Sequence, residues 1–181
     1  MGKIRHAGSV KLITGLISAD VSIFDKLKNV LEKKFRNSVD FESPVLDFTH
    51  TDYYAAEMGP DLKRKFFSFK NTVSLKNIEK VKIVSNEVEE LGSSNGKRVV
   101  NIDPGYLDLS KLVLFSSKDF THRIHVGNGI FAEVTLRYMD KDFRPWPWTY
   151  PDYKSEEYLK VFRAIREIYK NSRTIEHADQ T

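Results

Sequence analysis

Four short segments gather side chains whose types and spacing suit chemistry. Thr51-Asp52-Tyr53-Tyr54-Ala55-Ala56-Glu57-Met58-Gly59 places two carboxylates and two phenols in a stretch bounded by Gly59-Pro60. Loops that mix aromatics with charges make binding surfaces. The plainer use of the same residues is a tyrosine covering a sheet edge and Asp52 capping a turn. Asn101-Ile-Asp103-Pro-Gly105-Tyr106 reads as a strand ending in a turn. That delivers the Asp103 carboxylate to the rim of a sheet as a general base or metal ligand. The alternative is a tight turn in which Asp103 bonds its own backbone.

The third segment is Lys118-Asp119-Phe120-Thr121-His122-Arg123, taken together with Glu133. His122 has the type for acid–base work near neutral pH, or for a satisfied, partly buried histidine. Arg123 and Glu133 can orient a polar ligand, or form a cross-strand ion pair worth well under ~1 kcal/mol. The fourth is Pro145-Trp146-Pro-Trp148-Thr149-Tyr150-Pro151-Asp152-Tyr153; eight of the chain's 22 aromatics fall between Phe143 and Tyr169. Tryptophan and tyrosine beside rigid prolines stack bases or sugars, contact another protein, or clamp a helix onto a sheet. Two basic clusters accompany these segments: Lys26, Lys28, Lys33, Lys34 and Arg36, which read as a solvated helix face, and Lys63, Arg64 and Lys65.

Several chemistries are excluded. The chain has no cysteine, so disulfides, zinc–thiolate sites, iron–sulfur clusters and a cysteine nucleophile are absent. Gly92-Ser-Ser-Asn-Gly96-Lys97-Arg98 has one residue too few between its glycines for a phosphate loop, and no Ser or Thr follows the lysine. No Gly-x-Gly-x-x-Gly, His-Glu-x-x-His or Gly-x-Ser-x-Gly occurs. No apolar run approaches the roughly 18 residues of a membrane span, and the basic start of the chain lacks the apolar stretch of a signal peptide. The net charge of +4 divides as +2 in residues 1–90 and +2 in 91–181, so no basic arm marks a nucleic-acid binder. These features predict a soluble, cytoplasmic protein of 181 residues in one domain, with a core over about 10–170 and a polar, fraying tail at 171–181.

The elements that must position these residues follow from hydrophobic spacing. Residues 10–17 read as a buried strand. Ser22 caps a helix carrying Phe24, Leu27, Leu31 and Phe35 at helical intervals. Residues 39–48, broken by Pro44, read as an extended edge or a bulge, and 64–70 as a strand. Ser74 caps a second helix with a stripe of Leu75, Ile78, Val81, Val84 or Ser85, Val88 and Leu91, ended by Gly92 in a left-handed cap. Residues 97–102 return as a strand that stops at Asp103-Pro104-Gly105. This β-α-β-β-α-β order predicts an α+β fold with a ferredoxin-like core. Residues 106–120 fit a helix or a strand.

An antiparallel hairpin follows around Gly127-Asn128-Gly129. A two-residue Asn128-Gly129 turn is one solution. A three-residue loop, pairing residues whose numbers sum to 256, does better. It puts Ile124, Val126, Ile130, Ala132, Val134 and Leu136 on one apolar face, His122 opposite Val134, and Arg123 opposite Glu133. Pro145 and Pro147 mark a last edge strand or extended arm, and Ser155 caps a final helix buried through Tyr158, Phe162, Ile165 and Tyr169.

The chain resembles the bacterial and archaeal domain-of-unknown-function family numbered 4416. The stretches that carry the likeness are Thr51-Asp-Tyr-Tyr54, Glu57-Met-Gly59, Leu62-Lys-Arg64, Asn101-Ile-Asp-Pro-Gly-Tyr-Leu107, Lys111-Leu-Val-Leu114, Ser117-Lys-Asp119, His122-Arg-Ile124, Gly129 to Leu136, and Pro147-Trp-Thr-Tyr-Pro-Asp-Tyr153. Some members bear the label "GTP-binding protein". This sequence has neither a phosphate loop nor an Asn-Lys-x-Asp guanine motif. The resemblance carries over no activity and no catalytic residues.

The leading expectation is a binding protein for an anionic or phosphate-bearing ligand, whether nucleotide, phosphorylated metabolite or RNA, in a cleft between the Tyr53/Tyr54 loop and the Asp103 turn. Lys63, Arg64, Lys118 and Arg123 supply the cations, and Tyr53, Tyr54, Tyr106 or Trp148 the rings. A carboxylate-based, Mg-dependent hydrolase is the second expectation, drawing on Asp52, Glu57, Asp103, Asp119, His122 and Glu133. A non-catalytic protein-interaction module is the third. No membrane partner is expected.

Overall fold

Every residue of the run Ser9–Ser18 after Ser9 is buried, which requires cover on both faces of the sheet it joins. A computed structural model describes residues 8–49, 55–93 and 98–178 and supplies that cover. The elements in order are β1 (Ser9–Ser18), α1 (Ile23–Phe35), β2 (Val39–Glu42), β3 (Leu46–Asp47), α2 (Ala55–Met58), β4 (Lys63–Phe69), β5 (Val73–Ser74), α3 (Lys80–Leu91), β6 (Asn101–Leu107), β7 (Lys111–Ser116), β8 (Ile124–Gly127), β9 (Ile130–Met139), β10 (Asp142–Pro145) and α4 (Glu156–Ala178). The strands form one antiparallel sheet in the order β10-β9-β7-β6-β1-β4-β2, with β3 beside β4, β5 beside β1 and β8 beside β9. Leu12 and Leu16 of β1 share a core with Phe24, Leu27 and Leu31 of α1 and Val88 of α3. Ile13, on the opposite face, packs with Tyr158, Phe162, Ile165 and Tyr169 of α4. The chain is thus a mixed α/β structure in which a large antiparallel sheet lies between α1 and α3 on one side and α4 on the other. No described helix is long and apolar enough to cross a membrane.

Several expectations change. Ser22 stands at the start of α1 but makes no capping bond; Asp20 accepts its N–H instead, at 2.9 Å. Ser74 pairs with Ser9 in β5, and α3 begins six residues later. Leu91 is exposed, and Gly92 is right-handed at φ −84. Residues 111–116 are a strand, β7. The segment beyond Asn171 continues as helix to Ala178.

Asp103-Pro104-Gly105 is no turn. It lies inside β6, with Asp103 opposite Gly15 and Pro104 opposite Thr14 of β1. The glycine is there for close approach. A Cβ on Gly105 would sit 2.2 Å from the Val113 carbonyl of β7, so the position requires a missing side chain rather than a bend.

The hairpin uses both predicted solutions. Asn128 and Gly129 are left-handed (φ 52 and 71), forming a two-residue turn closed by Gly127 and Ile130. A bulge at Val126 then restores the sum-256 pairing, His125 with Phe131 and Ile124 with Ala132. The single apolar face does not form. Ile124 and Val126 are exposed, and a second irregularity, between Val113–Val134 and Leu112–Leu136, leaves Thr135 as an extra residue. Val134 therefore packs toward α3 and Leu136 toward α4.

Because the Gly105 contact is with backbone, Gly105→Ala cannot be relieved by a rotamer change. It is expected to destabilise the protein by about 1–3 kcal/mol or more, read as a lower urea midpoint; a wild-type midpoint would show that β6 and β7 tolerate separation here.

Candidate functional site

The site begins where two neighbouring strands part. β6 and β7 pair only from Gly105–Leu114 to Leu107–Leu112, yet β6 reaches back to Asn101 and β7 runs on to Ser116. Past Gly105 they diverge and leave a wedge in the sheet. The backbone that parting would orphan is satisfied by α3: Ile102 N–H donates to Glu89 Oε1 at 2.7 Å, and Lys82 Nζ donates to the Ile102 carbonyl at 2.8 Å. Ile102 thus presents its polar groups away from β1. Alternate residues of a strand point the same way, so the N–H that Pro104 lacks falls on this same open side. Proline marks the point where the ladder ends.

The wedge opens a cleft of about 540 Å³ that residues from both faces of the sheet reach. Lys82 and Asn86 come from α3, Arg64 from β4, Asn101 and Asp103 from β6, and Asp152 and Tyr153 from the turn before α4. Arg98 stands at the rim. Its Nε and Nη2 donate to Glu57 at 2.8 and 2.7 Å, and its Nη1 to Glu89 at 3.1 Å.

Arg64 is the buried centre of the floor, with its side chain 3% exposed. Its guanidinium donates to Asp103 Oδ2 at 2.9 Å and to Asp152 Oδ2 at 3.3 Å. To reach β6 from β4 it must cross β1, and it crosses at Gly15, whose neighbours on either side are Phe66 and Asp103. A Cβ on Gly15 would lie 2.8 Å from Arg64 Nη1 and 2.8 Å from Phe66 Cε1. Rings of Phe48, Phe66, Tyr153 and Tyr158 surround the charge at 5.2–5.9 Å. Burial works against the Arg64 charge, but Tyr153, Asp103, Tyr158 and Asp152 more than offset it and hold the group firmly protonated. Burial likewise pushes Asp103 up, and Arg64, Lys82 and the Asn101 amide bring it below the usual carboxylate range. Burial raises the Tyr153 phenol well above its ordinary value and pushes Tyr158 up to about 12. Arg64 Nε and the Tyr153 hydroxyl are buried without a hydrogen-bond partner among the described residues.

The opposite lip is organised by Arg123. Its Nε donates to Glu133 Oε2 at 2.8 Å, its Nη1 to Ser116 Oγ at 3.0 Å and to the Lys118 carbonyl at 2.9 Å, and its Nη2 to Tyr150 Oη at 3.4 Å. The Thr135 bulge beside Glu133 aims that carboxylate, and Thr135 Oγ1 donates to its Oε1 at 3.1 Å. The side chains of Arg123 and Glu133 are 5% and 3% exposed. The predicted pair therefore forms, but as a buried one. Removing either partner from such a pair costs about 3–5 kcal/mol, rather than the fraction expected at a surface. His122 does not face Val134. Its Nε2 lies 3.1 Å from Glu133 Oε2, and its ring stacks between Phe120 and Trp148.

Of the candidate residues, the structure brings Arg64, Asp103, Lys118, Arg123 and Glu133 to one cleft. Glu57 stands behind Arg98 and His122 behind Glu133. Lys63, at the start of β4, does not line the cleft and is bonded to Asp47 of β3 at 2.6 Å. Tyr106 packs with Phe115 toward α3, where the two line a separate depression. Trp148 stacks on Trp146 at 5.0 Å beside the lip, and Asp119 is exposed next to it. Asp52, Tyr53 and Tyr54 lie outside the described residues. Among the described residues, the tyrosines that line the cleft with the cations are Tyr150 and Tyr153. Sequence reasoning missed Gly15, Lys82, Asn86 and Arg98. Lys82 and Glu89, two helical turns apart with Ser85 between them, left a readable trace: a polar stripe on a helix face otherwise buried. Among the described residues, no three or more histidine, aspartate or glutamate side chains are placed to hold a metal ion.

The family model described as a domain of unknown function (DUF4416) matches residues 8–169, and the chain belongs to that family. No curated protein matches the chain.

Two measurements test the Arg64 bridge. Gly15→Ala is expected to cost about 1–3 kcal/mol in urea denaturation, because the guanidinium and Phe66 must both retreat. The depressed Asp103 pKa gives stability that is full above the unfolded value of 3.8 and is lost as pH falls below it. Asp103→Asn should lower stability at neutral pH and flatten that acid-side loss; an unchanged acid profile would remove Asp103 from the account.

Proposed function

We propose that the wedge between β6 and β7 binds an anionic, phosphate-bearing small molecule. One observation carries the reading: Arg64, Lys82, Arg98, Lys118 and Arg123 line the cleft against three carboxylates, Asp103, Glu133 and Asp152. Glu57 and Glu89 pair with Arg98 and Lys82 from outside the wall, so the excess is positive on the wall itself and not over the whole cluster, and the rings of Phe48 and Phe115 share the walls. In such a setting a cation attracts an anion more strongly than it does in water. The Ser116 and Ser117 hydroxyls on the same wall add hydrogen-bonding groups of the kind that fix tetrahedral oxyanions. A volume of about 540 Å³ lies within the ~300–1,000 Å³ range of small-molecule pockets.

The Mg-dependent hydrolase is not proposed, because guanidinium groups already hold the Asp103, Asp152 and Glu133 carboxylates. The strand order β6-β1-β4-β2, with α1 and α3 packed on one face, supports a ferredoxin-like core, to which β7–β10 and α4 are additions. The cytoplasmic location expected from the sequence belongs to this proposal as well.

Isothermal titration with ribose 5-phosphate tests the site. Lys118→Glu, on the lip, should weaken binding by about tenfold or more. Lys63→Glu, the same charge change at a side chain that does not line the cleft, should leave it unchanged. Equal losses from both would reduce the attraction to net charge alone, and absence of binding by the wild type would overturn the reading.

A further inference from the structure

The lip of the cleft holds a feature that anion binding does not use. Phe120 and Tyr150 both line the cleft, yet they remain 51% and 48% exposed. They are not loose rings on a surface. The Arg123 guanidinium lies 4.9 Å from the centre of Phe120 and donates to the Tyr150 hydroxyl at 3.4 Å. Glu133, itself buried, fixes Arg123 in turn. Phe120 also stacks on His122, 6.0 Å away and 20° from parallel. One buried ion pair thus holds two exposed aromatic side chains in place at the mouth of a polar cavity. Apolar area left in water at a fixed position is area that a flat ligand group gains free energy by covering. The size of the cavity adds to this, since a bare tetrahedral anion leaves most of about 540 Å³ empty.

We propose that the ligand of this cleft carries a planar aromatic ring as well as its phosphate, as a nucleoside monophosphate or an aryl phosphate does. The phosphate enters the cation-lined wedge and the ring rests against Phe120 and Tyr150. The inference rests on the anion-binding reading and adds the second half of the ligand. Stacking on such rings tolerates different ring systems, because every base presents a π-face; the preference is for a ring over no ring rather than for one base. Arg123 acts here as a positioning residue, setting both aromatics and the Ser116–Lys118 segment with one guanidinium.

The experiment compares adenosine 5′-monophosphate, ribose 5-phosphate and adenosine by isothermal titration, on the wild type and on a Phe120→Ala/Tyr150→Ala double variant. Both substitutions fall on half-exposed side chains, and an unchanged melting temperature confirms that the fold is kept. Adenosine 5′-monophosphate should bind the wild type at least about tenfold more tightly than ribose 5-phosphate. The double variant should lose that margin while binding ribose 5-phosphate as before. Equal binding of the two phosphates by the wild type, or a margin that survives in the variant, overturns the ring and leaves the anion reading standing. If neither phosphate binds, the anion reading falls and the ring falls with it; binding of adenosine alone overturns both in the same way.

Discussion

The passage of one buried arginine across a central strand constrains most of this structure. Arg64 leaves β4, crosses β1 over Gly15 and meets Asp103 on β6, while its other nitrogen holds Asp152 ahead of α4. Three strands and the turn leading into the last helix are therefore tied by one guanidinium. A buried charge of this kind adds little net stability over well-packed apolar residues, but removing one partner leaves the other uncompensated. Its effect is to specify arrangement. The ring cage of Phe48, Phe66, Tyr153 and Tyr158 shields the charge from water, and glycine at position 15 is the condition for the crossing.

The same economy of backbone explains the cleft. A continuous β6–β7 ladder would close the sheet and leave no site. Pro104 withholds one donor, Gly105 brings the strands to their closest contact, and beyond it Lys82 and Glu89 take the hydrogen bonds that β7 gives up. The parting of the strands costs little because no buried backbone group at Ile102 is abandoned. It also explains why α3 buries a lysine and a glutamate beside Val88.

Local patterns are legible in the sequence where the physics is local. The burial of β1, the stripe of α1, the edge at Pro44 and the facing of Arg123 and Glu133 all follow from spacing, and spacing survives folding. Asp103-Pro104-Gly105 misleads because turn chemistry and close strand approach use the same residues. Only the position of Val113 tells them apart, and Val113 is eight residues away on another strand. Gly15 has no local signature at all, since its meaning comes from Arg64 and Phe66, about fifty residues later. Spacing places the start of α3 too early because Ser74 is as good a cap as it is a strand end; the pairing with Ser9 decides it. Arg123 is legible, but its worth is not, because a hairpin register gives opposition and not depth.

The cations of the cleft come with their own counter-charges, and this shapes what the site can do. Arg98 is held by Glu57 and Glu89, Arg64 by Asp103 and Asp152, and Arg123 by Glu133. Each carboxylate weakens the field that an arriving anion feels. It also fixes a side chain that otherwise carries about 2 kcal/mol of rotamer entropy, so the donors that remain are aimed before the ligand arrives. Affinity then depends less on summed charge than on fit to donors already in place. On the proposed reading, the exposed rings at the lip would carry more of the discrimination between ligands than the charges do, since the charges are largely balanced by the protein itself.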